Sequence, residues 1–355
     1  MKYLNFLLIF APVAILGGIL GWPPTLVFIT SALAVIPGAG LLGQATEELA
    51  VHTGPRVGGL LNATLGNAAE LIITIFAIRE GLLDLVKASI TGSILGNILL
   101  VMGLSILLGG LKNGVQRFDR TQAGANAVQL ILAVLALMVP SLFFFAHTET
   151  NGPVESLSIG TALAMLVIYV LGLVFSFRFA NPEPELGAEV ARAEHHAGWS
   201  MRKVVVVLLG ATVLIAVLSE LLVSSVEPTV AALGVSEFFI GIIVVPLVGN
   251  VAEHLVAVQT ALKNKMELSM AVSLGSSLQI ALFVAPVLVF VSLWMGNPLT
   301  LVFNQFEIVA LFAGTLIAAF VAQDGESNWL EGAQLLALYV ILALAIFFLR
   351  VPSFH

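Results

Sequence analysis

Eleven apolar stretches of membrane-spanning length follow one another along the chain, separated by short polar or glycine- and proline-containing turns. They run at roughly 4–21, 24–50, 57–79, 85–108, 123–146, 156–179, 202–224, 236–262, 267–295, 301–322 and 330–350, each close to the 17–25 residues that carry an α-helix through hydrocarbon. The apolar runs are continuous rather than alternating, which speaks against an outer-membrane barrel. The predicted fold class is therefore all-α, a polytopic membrane protein with about 11 transmembrane helices. The first stretch, behind Met1 and Lys2, reads as a retained membrane helix rather than a signal peptide. It is long for a signal-peptide core, and no small-x-small cleavage site follows it.

Composition sharpens this picture. Of 355 residues, 59% are hydrophobic and 10% charged, against about 25% charged in soluble domains. There is no cysteine, so disulfides and thiolate metal sites are excluded. The formal net charge is −7, but its distribution is more informative. With eleven spans, Lys2, Arg56, Lys112, Arg117, Arg120, Arg178, Arg192, Arg202, Lys203, Lys263 and Lys265 fall on one face, and Arg79, Lys87 and Arg350 on the other. Cytoplasmic loops hold lysine and arginine in excess, which predicts a cytoplasmic N-terminus and an external C-terminus in a multi-pass protein of a prokaryotic cell membrane.

The long polar interruption at 181–200 carries Glu183, Glu185, Glu189 and Glu194. It divides the chain into an N-terminal helix (1–22), a first five-helix unit (23–180), an acidic cytoplasmic linker (181–200) and a second five-helix unit (201–355). The linker is a solvated connection or a cation-sensing element. The two units share a pattern. Gly66-Asn67-Ala68-Ala69-Glu70 returns as Gly249-Asn250-Val251-Ala252-Glu253 after 183 positions, and Gly92-Ser93 returns as Gly275-Ser276 at the same offset. Thr46-Glu47-Glu48 is echoed by Ser219-Glu220 at an offset of 173.

Placing these clusters by a rise of about 1.5 Å per residue puts Glu70 roughly 21 Å from Arg56 and 14 Å from Arg79. Glu253 falls roughly 24 Å from Glu237 and 15 Å from Lys263 by the same rule. Both carboxylates are thus expected near the midplane, in two repeats of inverted topology, where an ionisable residue marks an ion pathway. A hard divalent cation such as calcium takes six to eight oxygens. Glu70 and Glu253 supply charge; Asn67 and Asn250, on the same helical faces, add amide oxygens. Gly66 and Gly249 allow the backbone to loosen, and Ser93, Ser276 and Gln279 add oxygens from neighbouring helices. Each has a plainer alternative: interhelical hydrogen bonding for the asparagines, close helix packing for Ser93 and Ser276, and interfacial charge for Glu47 and Glu220, which are otherwise expected to control ion access. His254, opposite Leu71 in the repeat, is either a proton-coupling group or a packing residue.

Together these clusters resemble the calcium/cation:proton antiporter family of the cation/calcium exchanger superfamily, over residues 24–350. The resemblance implies two inverted five-helix repeats with Glu70 and Glu253 as central cation ligands. It also implies exchange of calcium, or another divalent cation, for protons by alternating access, in a secondary transporter rather than an enzyme. Glu70 and Glu253 then serve both as ligands and in proton coupling. Sodium-coupled relatives carry Pro-Glu where Ala69-Glu70 and Ala252-Glu253 stand here, which disfavours a sodium- or potassium-coupled carrier; a cation channel is the rival from another class. Calcium and protons are the expected substrates and the bilayer the expected environment, with no cofactor, no nucleic acid and room for a homo-oligomer.

Overall fold

The computed structural model describes residues 4–146, 151–179 and 198–349. Most of the linker expected at 181–200 therefore lies outside the described residues. The chain is nearly all helical. A 3-10 turn, Leu4–Ile9, leads into α1 (Phe10–Ile19), and α2 (Pro24–Thr53), α3 (Pro55–Leu65) and α4 (Ala68–Arg79) follow. Next come α5 (Leu83–Asn113), α6 (Arg120–Ala146), α7 (Asn151–Phe179) and α8 (Met201–Ser224). The remainder are α9 (Val226–Leu233), α10 (Glu237–Gly249), α11 (Val251–Leu262), α12 (Met266–Met295), α13 (Gln305–Val321) and α14 (Trp329–Phe348). Proline opens α2 and α3 at their first positions, where its missing N–H costs no helical bond. Asn304 with Glu307, and Asn328 with Glu331, form capping boxes at the starts of α13 and α14.

Seven of these helices are long and apolar enough to cross a membrane, and α9 with α10, bent by 116°, raises the number to at most eight. The other four of the eleven apolar stretches depart from single long helices. The first is a 3-10 turn followed by a ten-residue helix. The stretch at 57–79 breaks at Gly66 and Asn67 into α3 and α4, and that at 236–262 breaks at Asn250 into α10 and α11. The stretch at 301–322 is shortened to the 17 residues of α13.

The last departure has a clear cause. Leu299, Leu301 and Phe303 are buried in an extended segment whose alternate N–H groups face protein rather than a helical partner. Ser292, Ser158 and Ser141 hydroxyls accept from them at 2.8, 3.0 and 2.9 Å. Three helices, α12, α7 and α6, thus satisfy buried backbone that non-helical chain would otherwise leave unpaired.

α5 is the most buried of the long helices. Small residues set its neighbours. A β-carbon at Gly92 would stand 2.0 Å from the Ile242 carbonyl oxygen, so α5 and α10 meet backbone to backbone there. α2 packs along α8, with Ile215 of α8 3.3 Å from the β-carbon position of Gly38. Three π-helical turns, Gly96–Val101, Ile240–Val244 and Ile280–Val284, widen α5, α10 and α12, and such turns gather at functional sites. Two short strands, β1 (Gln116–Arg117) and β2 (Glu326–Ser327), pair antiparallel and join the loop after α5 to the loop after α13.

Candidate functional site

The two helix breaks lie together in the middle of the bundle. Each glutamate sits in the first turn of the helix that restarts after its break, Glu70 in α4 and Glu253 in α11. The break glycine on the other side stands against it. A β-carbon at Gly249 would meet Glu70 Cγ at 2.9 Å, and one at Gly66 would lie 3.5 Å from Glu253 Oε1. Close approach therefore favours glycine at 249.

The serines expected to lend oxygens to a cation are each bound to a carboxylate. Ser93 Oγ donates to Glu70 Oε1, and Ser276 Oγ donates to Glu253 Oε2 at 2.5 Å, both across 23 positions. The asparagines behave differently from each other. Asn250 Nδ2 donates to the same oxygen of Glu70, which ties α4 to the second break. Asn67 Nδ2 instead donates to Gln279 Oε1 at 2.6 Å. Asn97, in the π turn of α5, donates to Ser276 Oγ at 3.0 Å and so joins the network around Glu253. Its equivalent position is Ile280, which has no amide to offer.

Two oxygens in this cluster are buried without a hydrogen-bond partner among the described residues, Glu70 Oε2 and Asn67 Oδ1. Buried acceptors are normally satisfied; a pair of orphaned ones, with a second carboxylate close enough to repel the first, fits a site for a hard cation. Among the described residues no three His, Cys, Asp or Glu converge on one point. The remaining donors to a cation would be neutral amide and hydroxyl oxygens, the set a calcium ion accepts.

The structure also locates the outlying candidates. His254 follows Glu253, with a buried Nε2 that has no partner among the described residues. Glu47, at an exposed position of α2, is close enough to Glu253 to act on it electrostatically. Its neighbour Glu48 is buried and accepts from the Trp199 backbone N–H at 3.3 Å. Glu220 pairs with Arg79 at 2.7 Å, and Arg79 also meets Glu80 at 3.2 Å. None of the ion pairs among the described residues involves Glu70 or Glu253.

Sequence reading missed Glu307, which is buried and accepts from Thr91 Oγ1 at 3.1 Å and from the Asn304 N–H at 2.8 Å. The Asn-x-x-Glu spacing ahead of an apolar run was the available signal for it. Its role follows from that geometry: it caps α13 and fastens it to α5.

Helices broken inside an apolar bundle, with carboxylates and polar groups gathered at the breaks, are a feature of membrane ion transporters. Comparison with known proteins gives the family. The family model described as sodium/calcium exchanger protein matches twice, at residues 23–178 and 203–348. A Ca(2+)/H(+) antiporter of Aphanothece halophytica is 45% identical over 96% of this chain and 95% of its own length. The Ca(2+)/H(+) antiporter ChaA of Bacillus subtilis is 42% identical over 98% and 100%. The solved structure of native YfkE is 40% identical, superposes with a TM-score of 0.85, and is matched over 98% of this chain and all of its own. The chain belongs to the sodium/calcium exchanger family, in its calcium/cation:proton antiporter branch.

Proposed function

We propose that this protein exchanges calcium for protons across a cell membrane by alternating access around Glu70 and Glu253. The observation that carries the reading is the pair of orphaned oxygens, Glu70 Oε2 and Asn67 Oδ1, buried at the first carboxylate-bearing helix break. The 42–45% identity to Ca(2+)/H(+) antiporters supports calcium as the cation and protons as the counter-ion. Two carboxylates neutralised either by one calcium or by two protons keep the site's charge constant through the cycle. At that stoichiometry one pH unit supplies about 2.8 kcal/mol, enough for roughly a hundredfold calcium gradient.

The reading takes the two units as inverted five-helix repeats behind an N-terminal helix. The double match of the family model and the shared offset of 183 support it. It places the Arg79 end of α4 outside and the Lys263 end of α11 in the cytoplasm, following the lysine and arginine asymmetry. His254 is assigned the tuning of proton exchange at Glu253.

Purified protein in proteoliposomes, with labelled calcium and an imposed pH gradient, tests this function. Calcium uptake that follows the gradient and disappears with a protonophore is the expected result. Uptake that follows a sodium or potassium gradient instead would change the coupling ion, and unitary currents would replace the carrier with a channel.

A further inference from the structure

Beyond the ion site, each glutamate-bearing helix is held a second time, at its far end. In α4 the Ile78 carbonyl accepts from Asn297 Nδ2 at 2.9 Å. In α11 the Ala261 carbonyl accepts from Asn113 Nδ2 at 3.1 Å and from Gln116 Nε2 at 2.9 Å. Ile78 and Ala261 are 183 positions apart, the offset of Glu70 and Glu253. The donors correspond as well: Asn113 precedes the positive-φ Gly114 that ends α5, and Asn297 follows the positive-φ Gly296 that ends α12.

The turn beyond each carbonyl repeats the match. Gly81 N–H bonds to Ile78 O and Asn264 N–H to Ala261 O, each at 3.0 Å. Asn264, at φ 60°, is the lone non-glycine residue with positive φ among the described residues. Asparagine tolerates that conformation, and here its Oδ1 accepts from Gln116 Nε2 at 3.0 Å. Gln116 is 1% exposed, and a β-carbon at Gly109 would fall 2.0 Å from its Oε1, so Gly109 makes room for it.

We infer that Asn113, Gln116 and Asn297 are positioning residues that clamp the far ends of α11 and α4, each from the opposite half of the molecule. The inference rests on the calcium–proton reading only for what the clamp serves. Eight residues, about 12 Å of helix, separate each clamped carbonyl from its glutamate, so fixing the carbonyl sets the depth of the carboxylate. The clamp on α11 comes from the end of α5, whose Ser93 binds Glu70. The clamp on α4 comes from beyond α12, whose Ser276 binds Glu253. Each serine-bearing helix thus touches one glutamate directly and sets the height of the other.

The test uses the absence of native cysteine. Ile72→Cys reports on α4 and Leu255→Cys, its counterpart, on α11; both positions are half-buried. Asn113→Asp with Gln116→Glu, and separately Asn297→Asp, keep side-chain shape and remove the donors. The first pair should change maleimide labelling of Leu255→Cys at least threefold and leave Ile72→Cys unchanged, and Asn297→Asp should do the reverse. The half-saturating calcium concentration for uptake should rise severalfold, with the maximal rate per folded protein kept. Labelling that moves at both probes together, or at neither, overturns the clamp, as does a loss of folded protein with unchanged half-saturation. If the double variant is not recovered monodisperse, Gln116→Glu alone keeps the Asn113 bond and should give the same one-sided contrast at smaller amplitude. Labelling does not depend on the ion carried, so wild-type protein that fails to take up calcium would retire the exchange reading while the probes still decide the clamp.

Discussion

Glu70 and Glu253 share a role in sequence but not a setting in space. Glu70 accepts from Ser93 and Asn250 through one oxygen, leaving the other buried and unpaired, while Glu253 accepts from Ser276. Replacing either by glutamine keeps the shape and removes the charge that stands in for calcium's hydration shell. Glu70→Gln and Glu253→Gln are each expected to cut pH-driven calcium uptake roughly hundredfold or more, about 2.8 kcal/mol, with normal recovery of folded protein. Near-normal uptake by either variant would remove that glutamate from the site. His254 gives a subtler test, because Leu71 shows that the repeat itself does not need an imidazole there. If His254 exchanges a proton with Glu253, His254→Leu should displace the pH profile of uptake. A profile that keeps its position while its height falls would make His254 a packing residue.

At the scale of elements, the duplicated Gly-Ser pairs separate two functions that the sequence left as alternatives. The serines bind the carboxylates, but only one of the glycines is there for packing. A β-carbon at Gly92 would run into the backbone of α10 at Ile242, whereas one at Gly275 meets nothing within 4 Å. Overpacking of a tight helix contact costs about 1–3 kcal/mol, and here the obstacle is backbone that cannot turn aside. Gly92→Ala should therefore destabilise the protein by about 3 kcal/mol or more, while Gly275→Ala should stay within about 0.5 kcal/mol of wild type. Thermal unfolding in detergent separates the two, and equal shifts would mean that α5 and α10 do not meet as closely as this. The serine-supported extended segment before α13 belongs to the same scale: hydroxyls from three helices replace helical backbone bonds there.

Across the whole molecule, the acidic residues of α2 and α8 lie on opposite sides of the site. Glu47 acts on Glu253, and Glu220 is engaged by Arg79 at the end of α4. The Arg79–Glu220 pair is about half exposed on both partners, so its intrinsic contribution to stability is small. On the access route that we propose, a cation arriving at Glu220 competes with a guanidinium. Glu47→Gln should weaken calcium access mainly from the cytoplasm, and Glu220→Gln mainly from outside. Uptake measured separately in right-side-out and inside-out vesicles checks this, and identical effects from both sides would contradict the inverted arrangement.

The all-helical membrane class, the two glutamates, their asparagines and glycines, and the serine partners were legible in the sequence. Each is a local departure from an apolar run, and the repeat at 183 positions made every one visible twice. Four of the eleven apolar stretches were legible only as hydrophobic, because hydropathy does not register whether backbone bonds run within a helix or to a serine hydroxyl on another one. Tertiary structure alone decided that Asn67 bonds to Gln279 while Asn250 bonds to Glu70, since amide partners depend on which helices adjoin. It also decided that Arg79 meets Glu220, that Gln116 reaches the end of α11, and that Gly92 rather than Gly275 is crowded. Composition and spacing place residues along an axis and on a face; contacts between residues 141 to 212 positions apart, such as Arg79–Glu220 and Asn67–Gln279, exist only once the helices have packed.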